Sequence, residues 1–369
     1  MAALFPHPVE QGAGGLTMAL ARRTPLILTV ASAVLAGAML AAFATGAGQN
    51  LQSGAEIGSC AAYPGLPAEE GETAGMLFIP AGTFRMGSDR HQPEERFRHV
   101  AQVDGFWIDR HEVTNAQFRK FVEATGYVTL AERPVDPKDH PDWPQDMVAP
   151  GAVVFVPPKE ARGSDGRWWQ YVAGANWRVP RGPGSSIAGR ENHPVVHIAY
   201  DDALAYAQWL GRSLPTEAQW EFAARGGRDS EDDWSSAFDP EGKPVANVWQ
   251  GIFPVLNTTE DGYAETAPVG CFPPNGYGLY DMIGNVWEWT GDWYRPGHSK
   301  EMASNPKGPE LISLRVAPGQ AASRVIKGGS YLCSMNYCSR YRPAARQPQE
   351  LDLAAAHLGF RTVLNKTGP

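Results

Sequence analysis

Short apolar runs punctuated by turn residues give way to a helical period, and the plan then repeats. "MLFIPAGTFRMGS" (76–88) reads as strand, turn, strand. "DGFWIDRHEVTNAQFRKFVEATGY" (104–127) reads as a strand followed by a helix. Thr114 is the N-cap of that helix, Gln117 completes a capping box, and Gly126 ends it. "HPVVHIAYDDALAYAQWLGRSLPTEAQWEFAARGG" (193–227) gives a strand near Val195 and a helix from Asp202. Pro215 breaks the chain, Thr216 with Gln219 caps a further helix, and Gly226 and Gly227 stop it. Beyond Gly226 helix signals are few, and loops rich in Trp, Asn, Gly and Pro lead to a last strand, "HLGFRTV" (357–363). Residues 45–74 lack apolar periodicity and read as a linker. The pattern therefore predicts one α+β domain over residues 75–364, low in regular secondary structure, with long loops and a short tail at 365–369.

The N-terminus breaks this pattern. In "ARRTPLILTVASAVLAGAMLAAFATGAG" a basic pair, Arg22 and Arg23, precedes an apolar run from Pro25 to Ala44 that ends in small residues. Residues 1–44 thus read as a signal peptide or signal anchor. Met18 lies just ahead of the arginines, which makes residues 1–17 an over-extended start. Both readings send the rest of the chain out of the cytoplasm, to a periplasmic, extracellular or membrane-anchored position. Cys60 is too far from the apolar run to serve as a lipidation site.

Composition narrows the function classes. A net charge of -8, a pI of about 5.6 and no basic stripe interleaved with aromatics argue against nucleic-acid binding. Forty glycines and 31 prolines fit a chain that turns often, and 12 tryptophans supply aromatic packing to pin it. Four cysteines are too few for a disulfide scaffold of this size. No nucleophile elbow, phosphate-binding loop, H-E-x-x-H helix or EF-hand loop is present.

Three stretches carry candidate chemistry. "NVWQGIFPVLNTTEDGY" (247–263) and "DMIGNVWEW" (281–289) are rich in hard oxygen donors of the kind Ca²⁺ accepts, although spacing alone favours plain turns. Arg340, Arg342 and Arg346 fit a carboxylate or peptide clamp and a surface ion-pair set equally well. Cys333 and Cys338 sit five positions apart in "KGGSYLCSMNYCSRYRPAAR" (327–346). Zinc would need further nitrogen or sulfur ligands nearby, and buried neutral thiols leave export unexplained. A disulfide and a two-sulfur Cu(I) site both stay open.

The sequence resembles the formylglycine-generating enzymes, the sulfatase-maturing oxidases, over residues 76–363. The resemblance rests on "PAGTFRMGS", "EVTNAQFRKFV", "GANWRVPRGP", the 193–227 stretch, "NVWQGIFP", "PPNGYGLYDMIGNVWEWTGDW", "NPKGP" and the cysteine stretch. Motifs such as "LPTEAQWEFAARGG" are shared with a wider superfamily and speak to fold; the thiol pair after "GGSY" separates active from inactive relatives. The resemblance implies a variant C-type-lectin-like fold. It implies a monomeric oxidase that uses O₂ to convert a cysteine in a C-x-P-x-R segment of an unfolded or nascent sulfatase to Cα-formylglycine. Cys333 and Cys338 would hold Cu(I), with the substrate thiolate as a further sulfur ligand. Ser330 joins them as a catalytic neighbour, and Trp287, Tyr337 and Arg340 are expected to meet substrate. Asn247, Val248, Asp261 and Tyr263 match a first calcium site of the family; Asp281, Gly284, Val286 and Glu288 match a second. The membrane would be touched only through the N-terminal segment.

The chain departs from the animal members, which carry further structural cysteines where it has Ala207, Ala224, Pro343 and Thr362. This matches the bacterial branch. Cys60 and Cys271 are left over, with pairing an open matter. Two rival functions use the same fold. One is a peptide-binding paralogue without catalysis, which the thiol pair argues against. The other is an iron-dependent sulfoxide synthase, which would need a histidine cluster where these histidines are scattered.

Overall fold

Thr114 accepts the Gln117 amide at 3.2 Å, and Gln117 Oε1 accepts the Thr114 amide at 2.9 Å. This reciprocal cap opens α1 (Asn115–Thr125), and Gly126 closes it with a left-handed φ of 69°. Thr216 and Gln219 repeat the arrangement at α3 (Glu217–Arg225), ended by Gly226. Between them α2 (Tyr200–Trp209) starts two residues ahead of Asp202, whose carboxylate takes the Ala199 amide at 3.0 Å. No α-helix follows α3 among the described residues. The computed structural model describes residues 60–134, 148–158, 168–228, 237–314, 321–366 and 368. The apolar run at 25–44 and the linker up to residue 59 lie outside them.

Strands are short and scattered over several small sheets. The expected pair at 76–88 exists as β1 (Met76–Ile79) and β2 (Gly82–Met86), but the two enter different sheets. β3 (His99–Val103) pairs with β2, and β4 (Phe106–Asp109) pairs with β1, both antiparallel. β5 (Gly151–Phe155) and β6 (Trp169–Ala173) form a hairpin ladder, as do β7 (Gly251–Ile252) and β8 (Leu256–Asn257). β9 (Trp287–Trp293) is central to a four-stranded sheet. Its partners are β11 (Ser323–Lys327), with β12 (Arg346–Glu350) beyond it, and β13 (Leu358–Gly359). β10 (Ala303–Ser304) extends the β2–β3 sheet, and β14 (Val363–Leu364) the β1–β4 sheet.

Three expectations need correction. The segment near Val195 is not a strand: Pro194 has no amide to donate, and His197 turns the chain with a φ of 59°. It keeps only an isolated bridge from Pro194 to Thr114. The last strand is split into β13 and β14, because the chain leaves the ladder at Phe360 so that Arg361 can turn inward to Glu288. The linker does not extend to residue 74. Cys60 is disulfide-bonded to Cys271, Tyr63 meets His111 at 3.1 Å, and Arg212 Nη2 holds the Glu72 and Ala74 carbonyls at 2.8 and 2.9 Å. Residues 60–74 are therefore a packed strap on the domain.

The main core gathers Ile79, Phe84, Val103, Phe106, Ile108, Trp220, Phe222, Leu279 and Val363 between α3 and the two three-stranded sheets. A second, aromatic core of Trp249, Phe253, Tyr331 and Leu332, backed by Phe155, Trp168 and Trp169, underlies the cysteine loop.

Candidate active site

The cysteine loop follows β11 and starts at two glycines. Gly329 has a φ of 78°, and a Cβ there would stand 2.9 Å from the Arg340 carbonyl, so only glycine lets the two ends of the loop close. Ser330 is fully buried; its carbonyl accepts the Cys333 amide at 2.9 Å and its hydroxyl accepts the Leu332 amide at 3.3 Å. Ser330 thus shapes the turn that presents Cys333. The Ser334 carbonyl accepts the Cys338 amide at 3.0 Å, and this turn brings the second cysteine back to the first. The two sulfurs lie 2.7 Å apart, both thiols free and buried.

The two thiols are not equivalent. Cys338 is held below the ordinary thiol range, first by the S–H it accepts from Cys333 and then by the nearby Arg340 guanidinium, against the opposing effect of burial. Burial, together with donation to Cys338, pushes Cys333 well up. Cys338 is therefore the first to become a thiolate. A soft cation between two buried sulfurs would replace the shared proton, and the donor set fits Cu(I).

The floor around the pair is aromatic. The β7–β8 hairpin packs on the loop: the Trp249 amide donates to the Cys333 carbonyl at 3.0 Å, and Asn336 bonds both the amide and the carbonyl of Phe253. Tyr337 stacks on Phe253 with centroids 4.3 Å apart and meets Trp168 edge-on at 5.7 Å. Tyr337 is 38 % exposed and Met335 82 %, and the hairpin adds exposed Ile252 and Leu256. The result is an open apolar shelf beside two buried sulfurs. Phe253, Trp168 and Asn336 were not singled out as site residues in the sequence, although Phe253 and Asn336 lie in stretches that carry the family resemblance.

The other substrate-side expectations fare differently. Trp287 is 2 % exposed and lies in β9, its backbone paired with Leu358. The structure thus assigns it to the core and not to the face that carries Tyr337. The arginine set resolves into internal ion pairs, not a free clamp or a surface set. Arg340 pairs with Glu94, Arg342 with Glu95 at 2.5 Å, and Arg346 with Glu217 at 2.7 Å, the last two buried. Glu217 and Glu221 also form, with His298, a cluster of metal-ligating type. Its carboxylates are already taken by Lys327, Arg346 and Arg225, and it contains a single histidine. It does not offer the histidine set an iron-dependent sulfoxide synthase would use.

The oxygen-rich loops lie side by side, joined by the Asn285 amide and the Asn247 carbonyl at 2.8 Å. Asn247 and Asp261 lie at one end, where Asp261 accepts the Val248 and Tyr263 amides at 3.2 and 2.9 Å. The Gln250 amide nitrogen donates to both the Val248 carbonyl and Asp261, at 2.5 and 2.7 Å, so two of the expected ligand oxygens converge on one neutral donor. Asn247 Oδ1 is buried with no hydrogen-bond partner, the mark of an acceptor waiting for a cation. Gly284, with a φ of 77°, has the Asn247 carbonyl where a Cβ would go, which ties this loop to the second one. There Glu288 accepts Arg361 through both oxygens at 2.7 Å and Trp220 Nε1 at 2.8 Å. Asp281 accepts the Gly270 amide at 2.7 Å, and burial pushes its carboxyl up to about 6. The first donor set keeps an unpartnered acceptor in Asn247 Oδ1 and fits a hard cation; in the second, Glu288 is already taken by Arg361 and Trp220.

Comparison with known proteins places these features. The profile of the sulfatase-modifying factor enzyme 1-like domain matches residues 64–366. A Mycobacterium tuberculosis protein named formylglycine-generating enzyme is 51 % identical over 292 residues, covering 78 % of this chain and 97 % of its own. A Mus musculus protein of the same name is 45 % identical over 343 residues, covering 88 % and 87 %. Among solved structures, that of PvdO from Pseudomonas aeruginosa superposes with a TM-score of 0.55 at 23 % identity, over 82 % of this chain and 98 % of that one, and so bears on the fold alone.

Proposed function

Since the chain belongs to the sulfatase-modifying factor enzyme 1-like family and has an α+β, C-type-lectin-like fold, we propose that it is an exported formylglycine-generating enzyme. It acts on a cysteine in a C-x-P-x-R segment of a sulfatase, with O₂ as oxidant. The observation that carries this reading is the pair of free, buried thiols, Cys333 and Cys338, beneath an exposed apolar shelf. An unfolded substrate segment would lie on Tyr337, Met335 and the β7–β8 hairpin, which offer apolar contact and exclude water. Cys333 and Cys338 would hold copper(I), which would supply the one-electron chemistry with O₂ that side chains lack.

The protein's own part is to hold and protect. Cys338, the more acidic thiol, gives up its proton first, and Arg340 steadies the resulting charge. The aromatic floor keeps the pair dry, and the Ser330 turn fixes where Cys333 points. The overall change balances when the substrate CH₂–SH, O₂, two electrons and two protons yield the aldehyde, hydrogen sulfide and water, with a thiol reductant as electron source. We also assign Ca²⁺ to the two oxygen-rich sites, as structural ions that tie down loops without regular structure. The Cys60–Cys271 disulfide supports an oxidising compartment, in keeping with export through residues 1–44.

The test is incubation of the purified chain with a C-x-P-x-R peptide, copper, a thiol reductant and air, read by mass spectrometry. Conversion of thiol to aldehyde is expected. Cys333→Ser and Cys338→Ser should each lose it by orders of magnitude and lose tight Cu(I) binding, because a hydroxyl is a hard and poorly acidic donor. Full activity of Cys338→Ser without copper would refute the two-sulfur mechanism.

A further inference from the structure

Met335 stands at the apex of the cysteine loop, between the two thiols in sequence. The residues on either side of it are pinned. The Ser334 carbonyl accepts the Tyr337 and Cys338 amides at 3.3 and 3.0 Å. Asn336 Oδ1 accepts the Ser334 hydroxyl at 2.8 Å and the Phe253 amide at 3.3 Å, and its side-chain nitrogen donates to the Phe253 carbonyl at 3.4 Å. The turn leaves Met335 facing solvent, 82 % exposed, while Ser334, Cys333 and Cys338 are buried. Its Cα lies no more than about 7.6 Å from that of Cys333, two steps along the chain. Among the described methionines, Met76, Met86 and Met282 belong to the core, and Met302, the other exposed one, lies in a different loop.

A buried pair of thiols has an access problem. Cys333 and Cys338 are 1 % and 8 % exposed, above an aromatic core, and their sulfurs are engaged with each other at 2.7 Å. A metal ion reaching them must shed the ligands it came with, and each thiol must lose its proton before its sulfur binds. A thioether is a soft donor with no proton to lose, so it accepts Cu(I) at the surface without that second step. An ion held two residues from Cys333 then meets the thiols as an intramolecular partner, at a high effective concentration.

We propose that Met335 is the entry ligand for copper(I): a transient surface donor that takes the ion from solution, or from a carrier with soft ligands, and passes it inward to Cys333 and Cys338. The exchange is redox-neutral. The bond from Met335 Sδ to the ion breaks as the bonds from the two Sγ atoms form, and each thiol releases its proton to solvent. This inference rests on the copper reading of the thiol pair and adds a residue outside the bound set. A leucine would serve the apolar shelf as well as methionine does; only the entry role requires the sulfur.

The experiment mixes the reduced, copper-free chain, without oxygen, with the coloured Cu(I)–bicinchoninate complex. Loss of colour in a stopped-flow cell gives the rate of uptake, and excess chelator then gives the rate of release. Met335→Leu should fold as wild type does, because the side chain lies in solvent. It should take up copper roughly tenfold more slowly than wild type. Its final occupancy should be the same, and its release should slow by the same factor, since a route that eases entry eases exit equally. Met335→His, which restores a copper-binding side chain, should recover much of the rate. Met302→Leu should match wild type. Uptake by Met335→Leu at the wild-type rate would overturn the proposal. A loss of affinity at an unchanged rate of uptake would make Met335 a permanent third ligand and overturn it as well. Wild-type and Cys338→Ser chains that compete equally for the ion would instead refute the two-sulfur reading, and the entry role with it.

Discussion

Arg340 gives both its Nε and its Nη2 to a single oxygen of Glu94, at 2.9 and 2.6 Å, across 246 residues of chain, and so holds its charge beside the Cys338 thiol. The guanidinium is anchored on one side and felt by sulfur on the other. An anchored charge acts on a thiol more than a mobile one, because it pays no side-chain entropy when the thiolate forms.

Replacing Arg340 by Gln should therefore raise the pKa of Cys338. The thiolate, read by its ultraviolet absorbance in the copper-free reduced protein, should appear at higher pH than in wild type. Cu(I) affinity below that pH should fall in step, since copper must then displace a tighter-bound proton. Arg340→Lys should restore part of the shift. A titration curve identical to wild type would show that the Cys333 hydrogen bond alone sets the acidity of Cys338.

Calcium should stabilise the chain through Asp261. Burial raises its carboxyl pKa in spite of the hydrogen bonds from Gln250, Tyr263 and Val248, so a cation would relieve a strained acid. A ligand present at a hundred times its Kd adds about 2.7 kcal/mol. Asp261→Ala should lower the melting temperature in calcium, and excess calcium should not restore it fully. Equal melting temperatures in chelator and in calcium, for both proteins, would rule out this site.

Local signals were legible in the sequence and long-range pairings were not. Thr114 and Thr216 could be read as caps because each finds its partner three residues on. The "GGSY" turn and the close cysteine pair were likewise visible, because the Ser330 and Ser334 carbonyls that set their backbone lie within five residues, although the residues alone left a disulfide open. The arginines were ambiguous because their partners, Glu94, Glu95 and Glu217, sit more than a hundred residues away. The aromatic shelf escaped notice for the same reason: Trp168, Phe253 and Tyr337 come from three separate loops. Val195 read as a strand because its apolar run has strand composition, while Pro194 and the left-handed His197 deny it a ladder.

The Cys60–Cys271 bond closes a separation of 211 residues and fastens the 60–74 strap. Its sulfur also accepts from the Tyr263 hydroxyl at 3.3 Å, next to the first oxygen-rich loop. Cys60→Ser with Cys271→Ser should cost about 2–4 kcal/mol of stability. The loss should be local as well as global. Limited proteolysis should cut the double variant within 60–74 sooner than wild type, and calcium should stabilise it less. A strap equally resistant with and without the bond would mean that Arg212 and the Tyr63–His111 contact suffice to hold it.

Acid should act on the domain in two successive windows. His111 and His197 are buried and neutral, and burial lowers both to about 4, against about 6.5 for an unfolded histidine. The unfolded chain binds those protons more tightly, so the stability they confer is complete above about pH 6.5 and is lost as pH falls toward 4. Glu217 and Glu221 follow. Burial opposes their charge, but Arg346 and Lys327 outweigh it at Glu217, as Lys327 and Arg225 do at Glu221, and both acids are held at about 2. Their contribution is full above the unfolded carboxyl range, near about 4.3, and disappears as pH falls to 2. Burial raises Asp202, Asp281 and Asp292 to about 6, which acts in the opposite sense between pH 6 and 4, so the steeper fall in a plot of unfolding free energy should lie below pH 4 and the histidine part should show as a difference from a variant. His197→Gln keeps a donor for the Pro180 carbonyl, which His197 now reaches at 2.7 Å. It should flatten the upper window by about one proton's worth of slope and leave the lower window unchanged. The same slope in the variant between pH 6.5 and 4 would show that His197 is already protonated in the native state.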